Sequence, residues 1–205
     1  MLQVAYPNAK SFSKELAAIY AAYLVDRNHS LLISKRPNDI FCIDEIRLLY
    51  SRRRPSVRFV LTTRDPRAVL TSRHPATPDD YYVEARRWQA IYALVRANAH
   101  RDDCHIVRFE DLVTRVNQLQ ADVASFIGIQ PQRQFDRFQE FIPEGFQQTA
   151  LNGLRALDSG VVNKWREPLH QNRIRSLLRE IPTLPEALIE LGYESDEDWI
   201  RGYLT

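Results

Sequence analysis

Glycine is scarce in this sequence: only six of the 205 residues are glycine, and the first of them is Gly128. Walker-type loops and dinucleotide fingerprints use glycine to bring backbone amides against phosphates, and the sequence contains neither pattern. The composition therefore argues against ordinary kinases, NTPases and Rossmann dehydrogenases.

Cysteine and long apolar runs are scarce as well. Two cysteines, Cys42 and Cys104, are too few for a disulfide framework, so reduced thiols are expected. The longest nearly apolar stretch, Ala17–Val25, is far shorter than the roughly 20 residues that span a bilayer. Residues 1–14 carry no basic start followed by an apolar run, as a secretory leader would. We expect a cytoplasmic protein without a membrane span.

An excess of charge of either sign is also lacking. The chain has 28 basic and 26 acidic residues, a formal net charge of +2, which does not imply a nucleic-acid partner, and none is expected. The cluster Arg52–Arg54 suits either a polyanion-binding patch or, more commonly, a solvated turn. His100, Cys104 and His105 straddle a helix end and a strand start without a second ligand pair, so no metal site is expected.

Strand and helix patterns alternate along the chain without internal repeats, which predicts an α/β fold. No linker is long or polar enough to divide the chain, so a single domain over residues 1–205 is expected. The predicted strands are Leu2–Tyr6, Leu31–Ile33, Val57–Thr63 and His105–Phe109, and the predicted helices are Phe12–Asp26, Ile40–Tyr50, one starting at Asp65–Pro66, Asp79–His100, Leu112–Ile127, Gln171–Glu180 and Pro185–Leu191.

The most informative stretch is RFVLTTRDPRAVLTSRH, residues 58–74. Ligands of open parallel sheets bind at the carboxyl ends of strands, where Arg64 lies, and helix N-termini there favour anions. Helical positions 65, 68 and 72 share a face, so the Ser72 hydroxyl can point to the side of Arg64. An arginine fork with a hydroxyl predicts a phosphate clamp. Alternatively, Arg64 pairs with a carboxylate and Ser72 faces solvent or bonds to the carbonyl four residues before it.

This stretch resembles the 3′-phosphate-binding segment of sulfotransferases that use 3′-phosphoadenosine 5′-phosphosulfate (PAPS), in which a strand ends in Arg-Asp-Pro-Arg and a serine follows at this spacing. SLLISKRPND resembles the strand end before that segment in the bacterial carbohydrate and tyrosylprotein branches. The family's later motifs are matched in order by VEARRWQAIY, HIVRFEDLV, VASFIGI, DSGVVNKWREPL and LIELGYESD. The resemblance covers residues 30–196.

The resemblance implies a three-layer fold like that of P-loop kinases, with a central parallel sheet reduced at the N-terminus. It implies that Arg64 and Ser72 bind the 3′-phosphate and that Lys164 contacts a nucleotide phosphate, while Trp165 packs. Lys35 matches a catalytic lysine that stabilises charge on the bridging oxygen; alternatively, it is a surface lysine. The implied co-substrate is PAPS, with no metal.

One departure from the family is large. The family begins with a strand and a loop like Tyr-Pro-Lys-Ser-Gly-Thr-Thr, which grips the 5′-phosphosulfate, and this sequence has no such glycine loop. We expect residues 1–30 to match the helix before Lys35; a degenerate loop over Tyr6–Ser11 is the alternative. Without its central first strand, the sheet would expose unpaired backbone groups. Leu2–Tyr6 or another chain would have to fill that gap, or the sequence is a piece of a longer one.

Two functions follow from the resemblance. The first is sulfuryl transfer from PAPS to a hydroxyl or amine of a small-molecule, glycan or protein acceptor. The second is a catalytically impaired sulfotransferase-like protein that binds the nucleotide or a partner chain, in a homo-oligomer or with a complementing chain. His29 and His74 are candidates for the general base by position only. Glu110 and Asp111 are expected to cap a helix.

Overall fold

The computed structural model describes residues 31–50, 57–73, 79–141 and 156–203. The chain divides into two compact units, Met1–Phe59 and Val60–Thr205. The single domain over residues 1–205 stays a prediction. The predicted strand Leu2–Tyr6 and helix Phe12–Asp26 lie outside the described residues.

The described part of the first unit is helical after an irregular start. A 3₁₀ helix over Pro37–Cys42 continues into helix α1, Ile43–Tyr50, so the predicted helix Ile40–Tyr50 is confirmed with a tighter first turn. The predicted buried strand Leu31–Ile33 is wrong, because residues 31–36 have no regular secondary structure and Ile33 is 72% exposed. Three apolar residues indicate a strand only where neighbouring strands can pair with them.

The described part of the second unit combines a small sheet with helices, which confirms the α/β class. Strands β1 and β2 are hydrogen-bonded neighbours. They run parallel, because the residues that follow their carboxyl ends meet: the Asp65 amide donates to Glu110. The elements are β1 (Phe59–Thr63), α2 (Pro66–Leu70), α3 (Ala85–Asn98), β2 (Cys104–Arg108), α4 (Phe109–Thr114), α5 (Val116–Ile127), α6 (Gln171–Glu180) and α7 (Leu184–Glu190), with 3₁₀ helices at Phe135–Phe141, Ser159–Val161, Lys164–Arg166, Pro168–His170 and Asp198–Tyr203.

Two predicted helices differ from the observed ones. The helix predicted over Asp79–His100 begins only at Ala85, because the preceding segment pairs with the residues after α2 instead: Tyr82 N donates to Ser72 O at 2.9 Å. The helix predicted over Leu112–Ile127 is two helices, α4 and α5, separated at Arg115 by non-helical angles of φ −137° and ψ 40°.

Gly128 ends α5 as predicted. It adopts a φ of +81°, and its amide donates to Ala124 O at 2.8 Å. Glycine reaches this left-handed conformation without the steric cost that a side chain brings.

The buried centre of the second unit lies between α2, α6 and α7. The apolar residues of α6 and α7 recur at helical spacing, so one face of each helix is buried. Burying each such side chain contributes about 1.5–3 kcal/mol. The fully buried members are Leu70, Ile174, Leu177, Ile181, Leu184 and Leu188.

Arg67, on α2, carries a buried charge beside this core. Its side chain is about 2% exposed and pairs with Asp65 at 2.7 Å and with Glu194. The guanidinium carbon lies 3.7 Å from the centre of the Trp165 ring and 4.6 Å from that of Trp199. Two carboxylates and two aromatic faces therefore replace the water that this cation has lost.

Removal of this cation should destabilise the protein strongly. In Arg67→Met the free energy of unfolding should fall by about 3–5 kcal/mol, because the buried Asp65 carboxylate and the partly buried Glu194 carboxylate would lose their cationic partner. Urea unfolding measures the change. The matched variant Arg137→Met removes an exposed ion pair with Glu140 and should leave the urea midpoint unchanged. Equal effects of the two substitutions would contradict this account of Arg67.

Candidate functional site

The site is built around the turn from β1 into α2. Asp65 is the N-cap of α2: its carboxylate accepts the Arg67 amide at 2.8 Å, and Pro66 occupies the first helical position. Aspartate satisfies an amide without an intrahelical partner, and proline lacks the donor that would be unsatisfied there. This confirms the predicted helix start and fixes where the backbone of Arg64 leaves the strand.

Arg64 makes few contacts. Its Nη2 donates to Val161 O at 3.5 Å, its guanidinium carbon lies 4.5 Å from the centre of the Phe109 ring, and its Nε is buried without a hydrogen-bond partner. An arginine has five N–H donors. Within the described ranges Arg64 forms no ion pair with a carboxylate, and the adjacent Asp65 is bound to Arg67. The alternative interpretation, in which Arg64 pairs with a carboxylate, is therefore not seen among these residues.

Ser72 follows α2. Its hydroxyl donates to Ala68 O, four residues earlier, at 2.7 Å. This hydrogen bond agrees with the alternative interpretation, in which the Ser72 hydroxyl bonds to the carbonyl four residues before it. The oxygen keeps its two lone pairs, but donation to a phosphate would require the hydroxyl to give up this bond.

The late loop of the chain reaches the same strand end. Val161 O, which accepts from Arg64, is 97 positions further along the sequence. Lys164 follows three residues later and is exposed, and its side chain has no partner among the residues with described placement. Trp165 is 3% exposed and belongs to the core cluster, which confirms that it packs.

Lys35 belongs to the first unit. It is exposed on the irregular segment before Pro37, and no hydrogen bond or ion pair of its side chain is seen with described residues. Its catalytic role stays a prediction.

Glu110 and Asp111 do not cap their helix as expected, because α4 has no side-chain cap. Glu110 is 9% exposed, and its Oε1 accepts the Asp65 amide at 3.0 Å. Asp111 pairs with Arg108 at 3.3 Å and with Arg115 at 2.8 Å. Burial by itself would raise the pKa of Asp111, but the hydrogen bonds and charges of these two arginines together outweigh burial and lower it. The one sequence signal for this contact of Glu110 is its position as an acidic residue just after the second strand.

Tyr193 is a site residue that the sequence analysis missed. Its hydroxyl lies 3.4 Å from Thr63 Oγ1, at the end of β1. Burial is the main cause that raises the pKa of Tyr193 far above its usual range; the hydrogen bond to Thr63 opposes the rise, and Glu110 adds to it. Gly192, with a φ of +73°, turns the chain after α7 so that Tyr193 can lie here. No local pattern marks such a contact.

The two described surface depressions belong to other parts of the second unit. Two shallow depressions, of about 350 Å³ and 290 Å³, are lined by residues 100–103 and by residues of 117–134, and neither is bordered by Arg64, Ser72 or Lys164. His105 stacks on Phe126 with ring centres 5.1 Å apart. Arg52–Arg54, His29 and His74 lie outside the described residues.

The described residues contain no group of three or more histidine, cysteine or acidic side chains that could hold a metal ion. They also contain no helix whose length and apolar character would suit a bilayer crossing. Both cysteines are free thiols.

Comparison with known families assigns the chain. The model described as "Sulfotransferase family" matches residues 2–134, more than half of the sequence. The chain therefore belongs to the sulfotransferase family. The matched region includes Lys35, Arg64 and Ser72 and ends before Lys164. No curated protein and no solved structure gives a significant match.

The raised pKa of Tyr193 predicts a loss of stability in alkali. An unfolded tyrosine ionises near pH 10, whereas the folded protein keeps this proton, so stability falls as the pH rises above about 10. Between pH 8 and pH 11, the free energy of unfolding measured in urea should fall by about 1 kcal/mol less for Tyr193→Phe than for the parent protein. Tyr82→Phe, which alters an exposed ring, should behave like the parent. Identical pH dependence in all three proteins would contradict the prediction.

Proposed function

We propose that this member of the sulfotransferase family transfers the sulfuryl group of PAPS to a hydroxyl or amine acceptor. The observation that carries the proposal is the state of Arg64: in a sulfotransferase-family chain, a guanidinium at a strand end has one long hydrogen bond and no carboxylate partner within the described ranges. It is suited to bind the 3′-phosphate.

The contrast with Arg67 supports this role. The two arginines are three residues apart, yet Arg67 is bound to two carboxylates and Arg64 to a single carbonyl oxygen. A guanidinium binds phosphate oxygens through paired, charge-assisted hydrogen bonds, which are stronger than neutral ones. The Phe109 ring supports one face of Arg64 without using its donors.

Ser72 and Lys164 complete the proposed phosphate site. Ser72 would donate after exchanging its bond with Ala68 O for one with the phosphate. Lys164 adds a second cation on the loop whose Val161 carbonyl already reaches Arg64. These donors and cations fit a nucleotide that carries a 3′-phosphate.

PAPS supplies an activated sulfuryl group when it is bound. In our proposal Arg64, Ser72 and Lys164 bind and orient its nucleotide part. Lys35 stabilises the negative charge that develops on the bridging oxygen during transfer, since a fixed cation there lowers the barrier.

We further propose that the protein belongs to the bacterial carbohydrate or tyrosylprotein branch of the family, that it has a three-layer fold like that of P-loop kinases, and that it is cytoplasmic. The acceptor is a small molecule, glycan or protein. The place of the family's first strand would be filled by Leu2–Tyr6, by a second copy of this chain or by a complementing chain.

A catalytically impaired nucleotide-binding protein is the second candidate. It is favoured by the lack of any glycine before Gly128, which removes the glycine loop that grips the 5′-phosphosulfate in the family. The two candidates share the 3′-phosphate site and differ in transfer. A wild-type protein that binds the nucleotide but transfers no sulfuryl group would favour this candidate.

Loss of Arg64 should abolish recognition of the 3′-phosphate. Calorimetry should show micromolar binding of adenosine 3′,5′-bisphosphate to the parent protein and binding at least about 30-fold weaker to Arg64→Ala, because charge-assisted hydrogen bonds are lost. Arg64→Lys keeps the charge without the fork and should be intermediate. Arg137→Ala, at an exposed ion pair, should bind like the parent. No binding by the folded parent protein would refute the proposed function.

Loss of Lys35 should impair transfer without impairing binding. In a transfer assay with PAPS, Lys35→Ala should lower kcat by about 100-fold or more, because the cation acts on charge that develops during transfer. Its affinity for adenosine 3′,5′-bisphosphate should stay within about twofold of the parent value. If kcat is unchanged, Lys35 is a surface lysine.

A further inference from the structure

The residues immediately before and after Arg64 each contact a residue that is distant in the sequence. Asp65 N, after it, donates to Glu110 Oε1 at 3.0 Å. Thr63 Oγ1, before it, lies 3.4 Å from the Tyr193 hydroxyl. We propose that Glu110 and Tyr193 are positioning residues that hold Arg64 in the orientation that binds the 3′-phosphate. This inference rests on the proposed function.

Glu110 fixes the backbone on the helical side of Arg64. It belongs to the first turn of α4, directly after β2, so the neighbouring strand supports it. The residue before it, Phe109, places its ring 4.5 Å from the Arg64 guanidinium carbon. Two consecutive residues therefore constrain the backbone beside Arg64 and the side chain of Arg64 itself. Such support determines how accurately a binding group is held.

Tyr193 fixes the strand side of Arg64 and is itself held firmly. Its amide donates to Leu188 O at 2.8 Å, which ties it to α7. Arg108 Nη1, at the end of β2, donates to Gly192 O at 2.7 Å. The Arg108 guanidinium carbon also lies 5.5 Å from the centre of the Tyr193 ring. The C-terminal part of the chain is thereby joined to the ends of both strands.

Both residues are placed to act on the backbone and side chains beside Arg64. Glu110 is 9% exposed and its Oε2 is completely buried, whereas Tyr193 is partly buried and its hydroxyl lies beside Thr63. Like-charge repulsion would also make a carboxylate a poor phosphate ligand. Both residues would act through Arg64, so their loss should affect recognition of the 3′-phosphate more than that of the rest of the nucleotide.

The test compares two nucleotides on the same variants. The ratio of Kd for adenosine 5′-monophosphate to Kd for adenosine 3′,5′-bisphosphate reports recognition of the 3′-phosphate. Glu110→Ala should lower this ratio about tenfold, and Glu110→Gln, which keeps an oxygen acceptor for Asp65 N, should restore most of it. Tyr193→Phe, which removes only the hydroxyl, should lower it about threefold.

Gln120→Ala is the matched control. Gln120 is buried on α5, and its Oε1 accepts the Phe135 amide at 2.9 Å. Its loss leaves that backbone amide without its partner, just as Glu110→Ala does for the Asp65 amide. It should lower stability and leave the ratio unchanged. Amide hydrogen exchange of the ligand-free protein adds a direct readout: exchange at Asp65 should be faster in Glu110→Ala and not in Gln120→Ala.

The outcomes separate the two proposals. A parent protein that does not prefer the 3′-phosphorylated nucleotide overturns the proposed function and this inference together. A parent that prefers it, with the preference intact in Glu110→Ala, overturns only the positioning role. If Glu110→Ala does not fold, Tyr193→Phe decides, and an unchanged ratio there overturns the inference. An equal loss of the ratio in Gln120→Ala would show a merely structural effect and overturn it as well.

Discussion

The buried charge of Arg67 is the constraint on which the rest of the second unit depends. Placing a guanidinium in the interior is costly unless carboxylates and aromatic faces surround it. Asp65, Glu194, Trp165 and Trp199 meet that requirement from three separate parts of the chain. The start of α2, the late loop and the C-terminal segment are thus held to one point. The same network occupies the carboxylate of Asp65, the residue that follows Arg64.

The candidate site is consequently a property of the whole second unit. The family match ends at residue 134, yet Val161 contacts Arg64 and Tyr193 contacts Thr63. The ends of two neighbouring parallel strands provide the frame, and segments after them in sequence complete it. Mutations in the C-terminal part should therefore affect the proposed phosphate site at the end of β1.

The sequence predicted those features whose causes are local. The Asp65–Pro66 helix start, the Gly128 helix end and the helix Gln171–Glu180 each depend on neighbouring residues, and all were found. Leu31–Ile33 failed because a strand requires partners that a short apolar run does not reveal. The bonds of Glu110 with Asp65 and of Tyr193 with Thr63 join residues 45 and 130 positions apart, respectively. No periodicity or capping signal reports such pairs, so these roles required the structure.

The scarcity of glycine has different consequences for the two phosphate sites of the proposed nucleotide complex. A glycine loop binds phosphate with backbone amides and requires conformations that other residues adopt at a cost. An arginine fork presents its donors from a side chain, so Arg64 needs no glycine beside it. In our proposal, a chain without glycine before Gly128 can therefore bind the 3′-phosphate through Arg64 although it lacks the glycine loop that holds the 5′-phosphosulfate in the family. The choice between the two candidate functions then depends on the residues that bind the 5′-phosphosulfate, for which Lys35 is the proposed cation.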